Sequence, residues 1–241
     1  MGGGKVASRQ EKGGCPTFKA VVVGGSAGGM EALTAVLSKL DSGFPLPILV
    51  AQHLHKSDGG RFAEHLDRLC PLPVYEALDK APVRPGEVAV APANYHLLVE
   101  REETLALSVD PRVSWARPSI DVLFESAARV WAEGLVAVVL SGANFDGARG
   151  IELVLELGGR ALIQDPATAS SAAMPKAAAQ AAAGVGELHT PKELGERLQL
   201  LGGGLKRQDA SPRRTKQQSF DSASAASSPK RRAQTRGEPP S

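Results

Sequence analysis

Lys19-Ala-Val-Val-Val-Gly-Gly-Ser-Ala-Gly-Gly-Met30 is the stretch from which the rest of the chain can be read. Three consecutive valines favour an extended, fully buried strand, and Gly24-Gly25 stop it. From Met30 the apolar residues Leu33, Val36, Leu37 and Leu40 then follow a helical period. A buried strand, a glycine-rich turn and an amphipathic helix make the opening unit of an α/β protein.

The same grammar continues outward. Ile48 to Ala51 reads as a second buried strand and Arg61 to Leu69 as a helix with Phe62, Leu66 and Leu69 on one face. Further on, Ile120 to Trp131 reads as a helix with Ser119 at its N-cap, Leu135 to Leu140 as a strand, Ala148 to Leu157 as a helix closed by Gly158-Gly159, and Ala161 to Ile163 as a strand. Continuous apolar strands joined by helices predict a parallel sheet covered on both faces. Between Val74 and Val109 the pattern changes to short extended pieces separated by turn residues, which predict antiparallel hairpins.

Composition sets the boundaries. A chain of 241 residues that is 42% hydrophobic can bury one sizeable core. Residues 1–16 carry glycine and charge without an apolar period and read as a disordered leader; 17–203 read as one domain. Residues 204–241 shift to Ser, Pro, Gln and basic residues and read as a disordered basic tail. The net charge of +2 hides this asymmetry, because the tail holds nine Lys or Arg against three acids and leaves the body slightly acidic. The body is therefore no nucleic-acid binder, and the tail is expected to be a solvated extension rather than a tether to acidic or anionic surfaces. Cys15 and Cys70 cannot make a disulfide framework or a metal site, so a reducing cytoplasmic setting is expected. No apolar run reaches the roughly 20 residues a membrane span needs.

In an open α/β sheet, ligands bind beyond the carboxyl ends of the strands. Those ends carry Ser26 within Gly24-Gly-Ser-Ala-Gly-Gly29, Gln52-His53, Ser141 to Asp146, and Gln164-Asp165. A Ser in such a turn is exposed with a helix N-terminus behind it, an arrangement suited to a nucleophile but also to a phosphate site or a plain connection. The dinucleotide reading fails, because the third position of the fingerprint is Ser26 and Gln52-His53 stands where an acid should follow the second strand. A phosphate loop of the Walker kind fails as well, since Met30-Glu31 replaces the required Lys-Ser or Lys-Thr. His53 is positioned to act as a base, with His55 and His96 as competitors and His65 and His189 less well placed. Asp146 and Asp165 are equivalent candidates for an orienting acid, and Asp146 reads equally as the N-cap of the helix that follows it. No metal constellation or cofactor motif is present in the sequence.

Several separated motifs occur together and in order: Val23-Gly-Gly-Ser-Ala-Gly-Gly29, Gln52-His53, Ala91-Pro92 with His96, Arg117-Pro-Ser-Ile-Asp-Val-Leu-Phe124, Leu140-Ser-Gly with Asp146-Gly147, and Met174-Pro175. In this the chain, from about Thr17 to Leu201, resembles the CheB family of chemotaxis receptor methylesterases. The resemblance implies a three-layer αβα sandwich around a mostly parallel, doubly wound sheet with a small antiparallel hairpin region. It also implies a catalytic triad of Ser26, His53 and Asp146, which selects Asp146 over Asp165, with backbone N–H groups of Ala27 and Ala143 as oxyanion donors. The implied activity is hydrolysis of glutamyl methyl esters on chemoreceptor-like proteins, with glutamine deamidation as a companion reaction and no cofactor. The membrane would be met only through those receptors. The order Ser, His, acid differs from that of α/β-hydrolases.

Two departures from the family stand out. Asn144-Phe145 is bulkier than the usual glycine-rich stretch, and Ala143 occupies a position where Met is common. No phosphoacceptor receiver domain fits in the first 16 residues, so the expectation is a constitutively open enzyme or one gated by a separate regulatory partner. The competing expectations are a non-catalytic receptor-binding module and a small-molecule serine esterase.

Overall fold

Every residue of β1 (Ala20–Gly25) is buried, as a strand flanked on both edges and covered on both faces must be. Its side chains alternate between two apolar layers, Val21 and Val23 facing one and Ala20 and Val22 the other. The computed structural model describes residues 18–203; the expected leader 1–16 and tail 204–241 lie outside the described residues.

After β1 come α1 (Gly29–Leu37), β2 (Ile48–Gln52), α2 (Arg61–Leu69), β3 (Val74–Glu76), β4 (Val88–Val90), β5 (His96–Val99) and β6 (Leu105–Ser108). The chain continues with α3 (Ile120–Trp131), β7 (Leu135–Val139), α4 (Ala148–Glu156), β8 (Arg160–Gln164), α5 (Ala173–Ala181), β9 (Glu187–His189) and α6 (Pro191–Gly203). Seven strands form one sheet in the order β3-β4-β2-β1-β7-β8-β9. All its pairings are parallel. One face packs on α1, α2 and α6 through Leu33, Leu37, Phe62, Leu66, Leu194 and Leu198. The other packs on α3, α4 and α5 through Ile120, Phe124, Ile151, Val154, Met174 and Ala178. This is the expected αβα sandwich.

The middle of the chain divides. β5 and β6 form the antiparallel pair that turn spacing predicts, with His96 opposite Ser108. β3 and β4, which read as pieces of the same kind, instead join the main sheet as parallel strands. Val88, Ala89 and Val90 are all buried, so β4 has the two-faced burial of an interior parallel strand. The hairpin lies against α3, where the Val99 N–H donates to Ser126 Oγ at 3.1 Å.

Strand order reverses about β1: the chain goes to β2 on one side and returns to β7 on the other. The crevice at such a reversal is where an open α/β sheet binds its ligand.

Candidate active site

Ser26 and His53 are each the first residue past a paired position, since Gly25 pairs with Gln52. The His53 N–H donates to Gly25 O at 3.0 Å, and the Ser26 N–H donates across the other edge to Ser141 O at 2.9 Å. Parallel pairing places residues in register on strands about 4.8 Å apart. The hydroxyl-bearing and imidazole-bearing residues are therefore neighbours at the sheet rim, and both are half-buried. Ser26 Oγ has no hydrogen-bond partner among the described residues.

The turn after Ser26 needs its glycines. Gly28 takes a left-handed conformation (φ 76°) as the N-cap of α1, and a Cβ there would stand 2.6 Å from Ser170 Cβ and 2.8 Å from Ser141 Oγ. Beneath the turn lies Gln52, buried, whose Nε2 donates to Ser26 O at 2.7 Å. Its counterpart across β1 is Gln164, whose Oε1 accepts from the Ser141 N–H at 2.8 Å. Ser141 Oγ in turn donates to Ala27 O at 2.7 Å. Each glutamine ends one strand and braces the loop of the next, so the Ser26 turn and the loop after β7 are fixed to each other.

Asp146 is fully buried and accepts four hydrogen bonds. Oδ2 takes the His53 Nε2–H at 2.8 Å and the Ile120 N–H at 2.7 Å. Oδ1 takes the Ser119 Oγ–H at 2.9 Å and the Asp121 N–H at 3.1 Å. Asp146 thus caps the N-terminus of α3, not of α4 as adjacency predicts; the N-cap of α4 is Gly147, with φ 97°. Ser119 does stand at the N-cap of α3, but its hydroxyl bonds Asp146 and makes no cap bond.

The exchange is reciprocal. Asp121, in the first turn of α3, accepts the Gly147 and Gly150 N–H groups of α4 at 2.9 and 2.8 Å. Burial, with the nearby Asp146 charge, pushes the Asp121 carboxyl up to about 6, against the pull of the Gly150 and Gly147 N–H groups. Burial would raise Asp146 too. There it is outweighed by the His53 ring and the Ile120 and Asp121 N–H groups, which hold the carboxyl below its usual range. Of the two neighbouring carboxyls, Asp121 is therefore the one that takes up a proton first as pH falls, and the charged form of Asp146 is favoured. A charged acceptor on Nε2 keeps the proton on that nitrogen and leaves His53 Nδ1 as the basic atom.

The other candidates serve elsewhere. His96 is buried, with Nδ1 accepting the Ser119 N–H at 3.1 Å and Nε2 bonded to Pro111 O at 3.2 Å. It buttresses the stretch that receives Asp146. His55 bonds Ser57 Oγ, His65 is exposed on α2, and His189 contacts Glu187 on the edge strand β9. Asp165 caps a single 3-10 turn through the Ala167 N–H at 2.9 Å. The Ala27 and Ala143 N–H groups are without partners among the described residues, and both residues are exposed. The motif residue Met174 also finds its place: its N–H donates to Gly142 O at 2.9 Å, and a Cβ on Gly142 would lie 2.5 Å from its Cε. Gln52, Gln164 and Ser141 have no chemical signature of their own, and their position at strand ends is what pointed to them; Ser119 was legible only as a helix N-cap, not as a partner of Asp146.

Beside His53 opens a cleft of about 190 Å³, lined also by Asn144, Arg112, Trp115 and Arg117. Its far wall is a two-residue hairpin in which Val113 and Ala116 exchange both backbone hydrogen bonds, at 3.2 and 2.9 Å. The tip residues Ser114 (φ 51°) and Trp115 (φ 65°) are both left-handed, the type I′ geometry that normally calls for Asn-Gly. Holding two such residues there costs on the order of 1–3 kcal/mol each. Arg117 pins the base of the hairpin through Nη2 to Asn94 Oδ1 at 2.9 Å and Nη1 to Asp110 O at 3.0 Å and to Val109 O.

A sandwich with Ser, His and a buried charged Asp gathered at its topological switch point has the layout of a serine acyl hydrolase. Comparison with known proteins narrows this. The family model described as CheB methylesterase matches residues 21–198. The crystal structure of the Thermotoga maritima CheB methylesterase catalytic domain superposes with a TM-score of 0.72 and 30% identity, covering 76% of this chain and 98% of that one. The chain belongs to the CheB methylesterase family. A Leptospira interrogans protein, provisionally named protein-glutamate methylesterase/protein-glutamine glutaminase, is 44% identical over 164 residues, 68% of this chain and 85% of the relative. The enzyme of that name from Symbiobacterium thermophilum is 40% identical over 65% of this chain, which spans 43% of the relative's length.

Proposed function

We propose that the protein is a protein-glutamate methylesterase that hydrolyses glutamyl methyl esters on methylated chemoreceptor proteins, with protein-glutamine deamidation by the same route. The observation that carries this reading is the hydrogen bond from His53 Nε2 to the fully buried Asp146, with Ser26 on the adjacent strand. In the cycle, His53 Nδ1 takes the Ser26 proton as Oγ attacks the ester carbonyl. The developing oxyanion is met by the Ala27 and Ala143 N–H groups, helped by the partial positive charge at the start of α1. The tetrahedral adduct collapses to an acyl-serine as the His53 proton passes to methoxide and methanol leaves. Water, deprotonated by His53, then attacks the acyl-serine and releases glutamate and the Ser26 hydroxyl. With a glutamine side chain the leaving group is ammonia. Asp146 keeps Nε2 protonated and balances the imidazolium.

The working site is the cytoplasm, where a receptor's soluble portion would be reached; among the described residues no helix is long and apolar enough to cross a membrane.

Methanol release from a methylated receptor fragment tests it. Ser26→Ala and His53→Ala should each lower the rate about 10³-fold or more. Equal release by wild type and both variants would sink the assignment and leave a binding module. Turnover of simple activated esters with indifference to receptor fragments would leave a small-molecule esterase.

A further inference from the structure

Trp115 is 90% exposed, on a hairpin whose backbone is strained to put it there. Nothing within the fold rewards that placement, since an exposed indole buries no surface and Ser-Trp is a poor choice for a type I′ turn. Yet the hairpin is rigidly mounted: Arg117 clamps its base to Asn94 and two carbonyls, and His96 holds Pro111. A rigid aromatic beside a reaction cleft loses little conformational entropy when a partner lands on it.

Charge specifies the partner further. Arg112 and Arg117 line the same cleft, and neither makes an ion pair among the described residues; the contacts of Arg117 are to amide and carbonyl oxygens. Two uncompensated guanidinium groups beside His53 suit carboxylates. The proposed reaction supplies them, because each turnover turns a neutral ester into a glutamate. A substrate with more than one ester therefore becomes anionic next to its remaining sites.

Building on the function proposed above, we infer that the 113–116 hairpin is the substrate-reading element of this enzyme. Trp115 seats on an apolar residue next to the scissile ester, and Arg112, aided by the positive charge of the clamped Arg117, takes a glutamate flanking it. The occupant is an acidic protein segment, and the hairpin favours substrates that are already partly demethylated.

The test uses the full chain and two peptides that each carry one glutamyl methyl ester, flanked by glutamates in one and by glutamines in the other, with p-nitrophenyl acetate as a small ester. Trp115→Ala should raise KM for both peptides about tenfold, the loss expected for an aromatic anchor, and should affect p-nitrophenyl acetate turnover far less than peptide turnover. Trp115→Phe should restore most of the difference. Trp115→Gly, which suits the left-handed backbone, should raise the melting temperature and still raise KM, an outcome that a purely structural tryptophan would not give. Arg112→Ala should erase the preference for the glutamate peptide, and so should high salt. Unchanged KM in Trp115→Ala, or a parallel fall with p-nitrophenyl acetate, overturns the inference.

Binding is read separately. The chain has two tryptophans, and Trp131 is buried, so a blue shift in the emission of Ser26→Ala on adding the glutamate peptide would report Trp115. No shift overturns the hairpin's role. A saturable shift without hydrolysis by wild type overturns the esterase reading alone.

Discussion

The loops that follow β7 and β8 start alike. Each leaves a buried parallel strand at the same rim, each begins with a residue that hydrogen-bonds its neighbours, and each contains an aspartate. After β8 the loop closes on itself: Asp165 accepts the Ala167 N–H, and its carbonyl accepts the Thr168 N–H and hydroxyl. After β7 the loop closes on a helix 25 residues earlier in the chain, where Asp146 takes the Ile120 and Asp121 N–H groups and the Ser119 hydroxyl. The difference is the packing of α3 against α4, which lets each helix start on the other's carboxylate. A buried carboxylate that satisfies two elements is held in position by both; a half-exposed one that caps its own turn is held by that turn alone.

The contrast is broken most directly at Asp146. Asp146→Asn places an amide where two or more donors converge and no longer specifies which His53 nitrogen carries the proton. The rate of methanol release should fall about 10³–10⁴-fold with the fold retained. Asp146→Ala should add a stability loss of about 3–5 kcal/mol, because buried N–H groups and Ser119 are left without an acceptor. Denaturant unfolding measures the second effect and kinetics the first. An Asp146→Asn protein with more than a tenth of wild-type activity would show that the buried charge is not needed.

How much of this could be read from sequence follows the same division. α2 and α3 match their predicted spans because the amphipathic period is clear in both, although Leu69, read on the apolar face of α2, is exposed at the end of that helix. That the turn-rich middle of the chain holds an antiparallel hairpin was legible from the spacing of turn residues, and β5 with β6 is that hairpin; the parallel pairing of β3 and β4 was not legible, since three-residue strands carry no period. The rim position of Ser26 and His53 followed from strand ends alone. Asp146 and Asp165 could not be separated by pattern: what distinguishes them is a contact with Ser119-Ile120-Asp121, and a local reading assigns the cap to the nearest helix. Only the resemblance to a family selected Asp146. Gln52 and Gln164 stayed silent because a glutamine at a strand end has no chemistry until the neighbouring loop is placed above it.

Asp121 sharpens the comparison through pH. Its folded-state value of about 6 lies above the ordinary 3.8, so between these values the folded protein holds a proton that the unfolded chain has lost. That contribution to stability is fully present below about pH 4 and is lost as pH rises through 6. Asp121→Asn keeps an acceptor oxygen for the Gly147 and Gly150 N–H groups and carries no charge. Its stability relative to wild type should therefore climb across that window, by on the order of 2 kcal/mol at its upper end. Asp146 has the opposite slope, since its lowered value gives stability that is lost as pH falls, but it is present in both proteins. Thermal melts of the two proteins that stay parallel from pH 4 to 7 would mean that burial beside Asp146 does not raise the Asp121 carboxyl.

The smallest effect belongs to Asp165, and it matters because the sequence gives that residue the same standing as Asp146. Its side chain holds one turn, while the backbone bond from its N–H to His189 O at 2.7 Å survives substitution by alanine. The brace to the loop after β7 comes from Gln164, which is untouched. Asp165→Ala should cost about 1 kcal/mol or less, the worth of one exposed cap, and leave kcat/KM for methylated substrate within about twofold of wild type. A loss of activity approaching that of Asp146→Asn would mean that the β8 loop shares in the charge balance at His53, and that capping a local turn is not its only function.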